Sequence, residues 1–286
     1  MKRNSLLSYG SNYRKILSIY DMLGKNIDGG KKMKGKTVIV TGGSNGMGKH
    51  MAKRFATAGA NVAITGRSLD RLLKAKEEMA LLGGNILTIE MDVRNTDDVA
   101  RMVKETIGEF GNVHYLVNNA AGNFICPAEK LTSNGWKSVI DIVLNGTFYC
   151  SSEVGKHWIE NKVEGRIINM VATYAWDAGA GVIHSAAAKA GVLSMTRTLA
   201  VEWGRKYGIR VNAIAPGPIE RTGGAEKLWE SDEAARRTLE SVPLGRLGKP
   251  EEIAELAYFL FSENASYING ECITMDGGQW LNQFPF

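Results

Sequence analysis

Thr37-Val38-Ile39-Val40-Thr41-Gly42-Gly43-Ser44-Asn45-Gly46-Met47-Gly48 joins a β-branched run to a glycine-rich loop and the loop to a helical stretch. Val38-Ile39-Val40 reads as a buried strand, because branched side chains pack well on a pleated surface. Glycines between a strand and a helix let the backbone approach a pyrophosphate. The helix N-terminus behind them adds free N–H groups and a dipole that favours negative charge. The candidate contacts are Gly42, Ser44, Asn45, Gly46 and Met47. A glycine-rich loop by itself is an ordinary turn; the strand before it and the helix after it give it meaning.

Outward from this loop the chain alternates β-branched runs with longer helical segments. Strands are expected at Thr37–Thr41, Asn61–Thr65, Ile86–Glu90, Tyr115–Asn118, Arg166–Val171, Arg210–Ala215 and Cys272–Met275. Asp70–Met79 carries apolar residues near helical spacing. Alternation of this kind implies a parallel sheet with helices on both faces, and right-handed crossovers make it doubly wound. No internal repeat, low-complexity tract or Pro/Ser-rich linker interrupts it, so one α/β domain is expected over residues 34–286, preceded by an extension over residues 1–33.

The 286 residues are 44% hydrophobic and 23% charged, an ordinary globular balance. The net charge of +5 resides in residues 1–32, which hold seven basic and two acidic side chains. A basic body for nucleic acid is therefore not expected. No apolar run reaches membrane-spanning length, and the N-terminal segment lacks the apolar core of a secretory signal. It is read as a disordered or weakly helical extension without a catalytic role, with Met33 a candidate natural start. Cys126, Cys150 and Cys272 are odd in number and widely spaced, and the four histidines do not cluster, so no metal site is expected. A reducing, cytoplasmic compartment is the simpler setting.

The end of the second strand selects the cofactor. An acidic residue there would accept hydrogen bonds from the ribose hydroxyls of NAD and repel a 2′-phosphate. The chain reads Ile64-Thr65-Gly66-Arg67-Ser68. Arg67 can pair with a phosphate and Ser68 can donate to it, which favours NADPH; a solvated arginine at a helix start is the plain alternative.

The spacing Thr-Gly-x-x-x-Gly-x-Gly over Thr41–Gly48 resembles that of the short-chain dehydrogenase/reductase family, which implies a single doubly wound Rossmann domain. Further segments at the strand ends resemble the same family. Asp92 and Val93 match its adenine contact. Asn119 and Ala120, in Asn118-Asn119-Ala120-Ala121-Gly122, match its Asn-Asn-Ala-Gly motif beside the nicotinamide half. Pro216, Gly217 and Ile219, in Pro216-Gly217-Pro218-Ile219, match the stretch that holds the carboxamide. Asn145 matches a structural asparagine of the family.

The departure lies in His184-Ser185-Ala186-Ala187-Ala188-Lys189, where the family usually reads Tyr-x-x-x-Lys. Ser185 stands at the tyrosine position, and Ala172 where the family places its serine. Ser185 and Lys189 share a helix face, whereas His184 and Ser185 point apart, so no Ser–His pair is expected. Tyr174, past the fifth strand, and Asn123, past the fourth, offer a phenol and an amide as donors to one developing oxyanion.

This arrangement resembles the NADPH-dependent 2,4-dienoyl-CoA reductases of the short-chain type, above all the bacterial, Bacillus-type members, over residues 34–286. The resemblance implies Tyr174, Asn123, Lys189 and Ser185 as catalytic residues. It implies Asn123, Phe124, Tyr174 and Arg221 at an acyl-CoA substrate, Lys189 also at the nicotinamide ribose, and a homotetramer. Basic residues Arg221, Lys227, Arg236, Arg237 and Arg246 can meet coenzyme A phosphates or serve as surface charges. Two readings stay open beside it: a reductase for 3-oxoacyl, sugar or alcohol substrates with Tyr174 as acid, and a non-catalytic NADP-binding module.

Overall fold

The computed structural model describes residues 32–222 and 232–282. The expected extension, up to residue 31, and Lys227 lie outside the described residues. The compact unit begins at Met33, which is buried and donates its N–H to the Ala58 carbonyl at 3.0 Å.

The elements run β1 (Thr37–Thr41), α1 (Gly46–Thr57), β2 (Asn61–Gly66), α2 (Leu69–Ala80), β3 (Asn85–Glu90), α3 (Thr96–Phe110) and β4 (Tyr115–Asn118). They continue with α4 (Ser133–Ile140), a π-helical turn (Asp141–Asn145), α5 (Gly146–Asn161), β5 (Arg166–Met170), α6 (Ile183–Tyr207) and β6 (Arg210–Pro216). Then come α7 (Asp232–Glu240), α8 (Pro250–Phe261) and β7 (Cys272–Met275). The expected strands and the helix over Asp70–Met79 are all present, with ends moved by a residue. β3 starts at Asn85 because its backbone pairs with Asn61, and β6 runs through Pro216, opposite Met275.

The seven strands are parallel, in the order β3-β2-β1-β4-β5-β6-β7. Val40 lies opposite Ile64 on one side and Val117 on the other. The order reverses between β1 and β4, and in such sheets the crevice outside the carboxyl ends at that point is where ligands bind. Alternation along the strands covers both faces. Val38, Val40, Val62, Ile64, Val117 and Ile168 face one apolar core with α1, α2 and α8. Ile39, Ala63, Leu116 and Ile167 face the other with α3, α5 and α6. Among the described residues no helix is long and apolar enough to cross a membrane.

Two features fix the second core. The fully buried Trp158 indole donates to the Val113 carbonyl at 2.7 Å, joining α5 to the start of β4. Gly165 lies flat on that ring; a Cβ there would sit 2.1 Å from it. Beneath the strand ends a buried polar ladder crosses the sheet. Asn118 donates to Ser151 Oγ and Asn169 Oδ1, both at 2.9 Å, and Asn169 donates to Thr196 Oγ1 at 2.9 Å. It ties β4 and β5 to α5 and α6, so the strand ends beneath the site are held in register.

Gly165→Ala should therefore destabilise the protein by about 1–3 kcal/mol through overpacking against Trp158. Gly108→Ala, inside α3 with nothing within 4 Å of the added methyl, should stabilise it by about 0.4–1 kcal/mol. Denaturant unfolding of the two variants checks the opposite signs.

Candidate active site

Gly42 and Gly46 adopt left-handed φ values of 64° and 51°, which turn the chain out of β1 and into α1. Asn45, extended at the N-cap of α1, accepts the Gly46 N–H at 2.8 Å. The loop closes on the chain after β4. Thr41 Oγ1 accepts the Asn119 and Ala120 N–H groups at 3.0 Å, and Asn119 Nδ2 donates to the Thr41 and Gly42 carbonyls at 3.0 and 3.1 Å. Gly48 must lack a side chain: a Cβ there would lie 2.3 Å from the Gly42 oxygen and 2.5 Å from Asn119 Nδ2. Asn119 and Ala120 thus shape the loop itself. Met47 turns its side chain against the first core.

The residues expected at an adenosine lie at the tips of β2 and β3. Arg67 is exposed, with no ion pair among the described residues. Ser68 stands at the N-cap of α2 without using its hydroxyl as a cap. Asp92 is gripped by Arg94, whose Nε lies 3.0 Å from both carboxylate oxygens and whose Nη2 lies 2.6 Å from one. That guanidinium holds the Asp92 carboxyl below the usual range, and the charge of Arg67 acts in the same direction. This partner of Asp92, Arg94, was not singled out from the sequence; its signal is the Asp-x-Arg spacing on the loop after β3. Val93 packs its side chain on Gly146 of α5, where a Cβ would lie 2.7 Å away. Pro216–Ile219 is drawn along the end of β7: Gly217 donates to the Met275 carbonyl at 3.0 Å, and Ile219 bridges to Gly248.

On the nicotinamide side, Tyr174 lies in a 3-10 turn after β5 and Ser185 in the first turn of α6. Their hydroxyls share a hydrogen bond of 3.1 Å, a contact across 11 residues. Burial raises the Tyr174 phenol above its ordinary value, against the opposing bond from Ser185, so the phenol stays protonated at neutral pH. One turn further along α6, Lys189 is 7% exposed, and its Nζ donates to the Met170 carbonyl at 2.5 Å. Burial lowers its pKa to about 8.

The loop that carries Asn123 is tied to the one that carries Tyr174 and to the start of α6. Cys126 donates its N–H to the Gly181 carbonyl at 2.8 Å, and Phe124 meets the His184 ring edge-on, 4.5 Å between centroids. Asn123 Oδ1 accepts the Phe124 N–H at 2.9 Å. His184 is fully buried, and among the described residues neither ring nitrogen has a hydrogen-bond partner, Ser185 included. Asn145 donates to Asp141 Oδ1 at 2.9 Å inside the π-helical turn. The guanidinium of Arg221, the residue implied at the substrate, is paired with Glu251 at 2.7 Å and Glu220 at 3.0 Å. Arg236, Arg237 and Arg246 are each paired with a glutamate as well.

The family model described as enoyl-(acyl carrier protein) reductase matches residues 42–279. The chain belongs to the short-chain dehydrogenase/reductase family. A "probable 2,4-dienoyl-CoA reductase [(2E)-enoyl-CoA-producing]" of Bacillus subtilis is 66% identical over 254 residues, 89% of this chain and 100% of that protein. A "peroxisomal 2,4-dienoyl-CoA reductase [(3E)-enoyl-CoA-producing]" of Mus musculus is 41% identical over 251 residues, 87% of this chain and 85% of that one. The crystal structure of a short-chain dehydrogenase from Bacillus anthracis superposes with a TM-score of 0.82 at 66% identity, covering 88% of this chain and 100% of that chain.

As a short-chain dehydrogenase/reductase the protein is an oxidoreductase that uses a nicotinamide cofactor. The residues present fit one: a cradle at Gly42–Gly48 that a Cβ would fill, an uncommitted Ser68 hydroxyl, and Lys189 below the crevice. Bound there, the cofactor supplies or accepts hydride. Lys189 carries its proton below about pH 8 and loses it above. Affinity for the cofactor should thus fall as pH rises through about 8, and Lys189→Arg should flatten that fall, because a guanidinium keeps its charge. Fluorescence titration of the bound reduced cofactor from pH 6.5 to 9.5 checks both.

Proposed function

We propose that the enzyme reduces 2,4-dienoyl-CoA thioesters to 3-enoyl-CoA with NADPH, as the β-oxidation of unsaturated fatty acids requires. The observation that carries this reading is the hydrogen bond between Tyr174 and Ser185. A ketone reductase of the common pattern needs a tyrosine at position 185 to protonate an alkoxide. Here the serine at that position instead orients a phenol delivered from another turn. The relatives named as 2,4-dienoyl-CoA reductases support the substrate class, and Arg67 and Ser68 support NADPH.

Bound NADPH would deliver hydride to the δ carbon of the dienoyl chain. The charge that develops spreads along the conjugated system to the thioester oxygen. Tyr174, protonated because it is buried, and Asn123 donate hydrogen bonds to that oxygen; one such donor is worth roughly 3–4 kcal/mol in an oxyanion hole. Ser185 holds the phenol in its bearing. Lys189 holds the nicotinamide ribose and adds positive potential. Water then protonates the α carbon, the dienolate carbon next to the thioester, which leaves a 3-enoyl product. The alternative, a proton from Tyr174 onto the γ carbon, would give the 2-enoyl product printed in the Bacillus subtilis relative's name.

A reducing, cytoplasmic setting suits three cysteines that are all free. A homotetramer suits exposed apolar side chains such as Phe148 on α5 and Val201 on α6.

Purified protein should consume NADPH with a 2,4-dienoyl-CoA and release a 3-enoyl-CoA, identified by chromatography against both isomers. Tyr174→Phe should lower kcat by about 100-fold or more, equivalent to the loss of one oxyanion donor, with NADPH affinity nearly unchanged. Turnover with ketones and not with the dienoyl thioester would overturn the proposal. A conjugated 2-enoyl product would place protonation at the γ carbon and overturn the 3-enoyl assignment.

A further inference from the structure

The turn after β6 is held by a chain of polar contacts that reaches back to the glycine-rich loop. His50, one turn into α1, has Nδ1 at 2.8 Å from the Gly46 carbonyl, to which it donates, and Nε2 at 3.3 Å from Glu251 Oε1. The other oxygen of Glu251, in the first turn of α8, lies 2.7 Å from Arg221 Nη2, which also lies 3.0 Å from Glu220 Oε1. One carboxylate thus bridges α1 to the chain that follows β6.

Arg221 is itself unusual. Its φ is 55°, and among the described residues the only other non-glycine with positive φ is Lys162, at the C-cap of α5. A left-handed residue at a helix end is common, whereas an arginine so placed within a turn persists when its surroundings hold it there. The turn brings Thr222 back over the loop. Thr222 donates to the Ile219 carbonyl at 2.8 Å, and its side chain lies 3.6 Å from where a Cβ on Gly46 would be.

We propose that Arg221, Glu251 and His50 form a clamp that sets the turn after β6 against the pyrophosphate loop, with Arg221 a positioning residue for the cofactor. The clamp rests on the reading of the Gly42–Gly48 loop as that site. It accounts for why Arg221 is engaged by carboxylates rather than turned towards a coenzyme A phosphate. Arg221 and Glu251 are exposed and His50 is half-buried, and exposed ion pairs contribute little to global stability. Their effect therefore falls on a local conformation rather than on the fold.

NADPH and NADH titrations of the wild type, Arg221→Ala, Arg221→Gly, Glu251→Gln and the double variant Arg221→Ala/Glu251→Gln test the clamp. Each single change should weaken dinucleotide binding by about five- to tenfold, ~1–1.4 kcal/mol. The double variant should be no worse than either single one, because they break one linkage. The thermal midpoint and the KM for the acyl-CoA should stay as in the wild type. Glycine accepts the φ of Arg221 without strain, so full affinity in Arg221→Gly overturns the clamp. Unchanged binding in all variants, or a rise confined to the acyl-CoA KM, overturns it as well. A wild type that binds neither dinucleotide overturns the dinucleotide reading and the clamp with it.

Discussion

The space between Gly48 and the Gly42 carbonyl is the constraint on which the rest of the site depends. A methyl group at Gly48 would lie 2.3 Å from that oxygen and 2.5 Å from the Asn119 amide. Because nothing fills that space, α1 can start against the end of β1, and Asn119 can donate to Thr41 and Gly42 at once. Those two bonds fasten the loop after β4 to the loop after β1, across the point where the strand order reverses. The crevice is the consequence. Sheet register, the buried ladder from Asn118 to Thr196, and the packing of α1 on α8 all hold the strand tips that this closure joins.

On the opposite wall the enzyme redistributes a familiar set of roles. The serine at position 185 reaches across to a tyrosine 11 residues earlier, and the lysine one turn on keeps its place beneath the crevice. Burial acts on the two titratable groups in opposite senses. It makes the Tyr174 phenol harder to deprotonate and the Lys189 ammonium easier to deprotonate. Both follow from one rule, that a low-dielectric setting disfavours whichever form is charged. A neutral donor and a tunable cation on one rim suit a reaction in which negative charge spreads along a conjugated chain and no alkoxide needs a proton.

Much of the fold can be read along the chain. Val38-Ile39-Val40 could only be a strand buried on both faces, and the structure sends Val38 and Val40 to one core and Ile39 to the other. The glycine positions, the helix over Leu69–Ala80 and the strand ends are local matters of period and backbone freedom, and local sequence carries them. Two of the ends that moved, Asn85 and Pro216, did so because a neighbouring strand offered backbone partners, which no single segment records.

The long-range pairings belong to the tertiary structure. Ser185 and Lys189 share a helix face by spacing alone, but the bond from Ser185 to Tyr174 exists because the turn after β5 folds back onto α6. Asp92 and Arg67 are both visible as charges; that Arg94 grips Asp92 while Arg67 enters no ion pair among the described residues depends on how the loops after β2 and β3 lie. Arg221 reads as one of a series of basic residues, yet Glu251, 30 residues on, claims it. Periodicity and glycine placement are short-range properties of the backbone and survive in sequence. Which charge meets which, and which group loses its water, are settled only when distant segments close over one another.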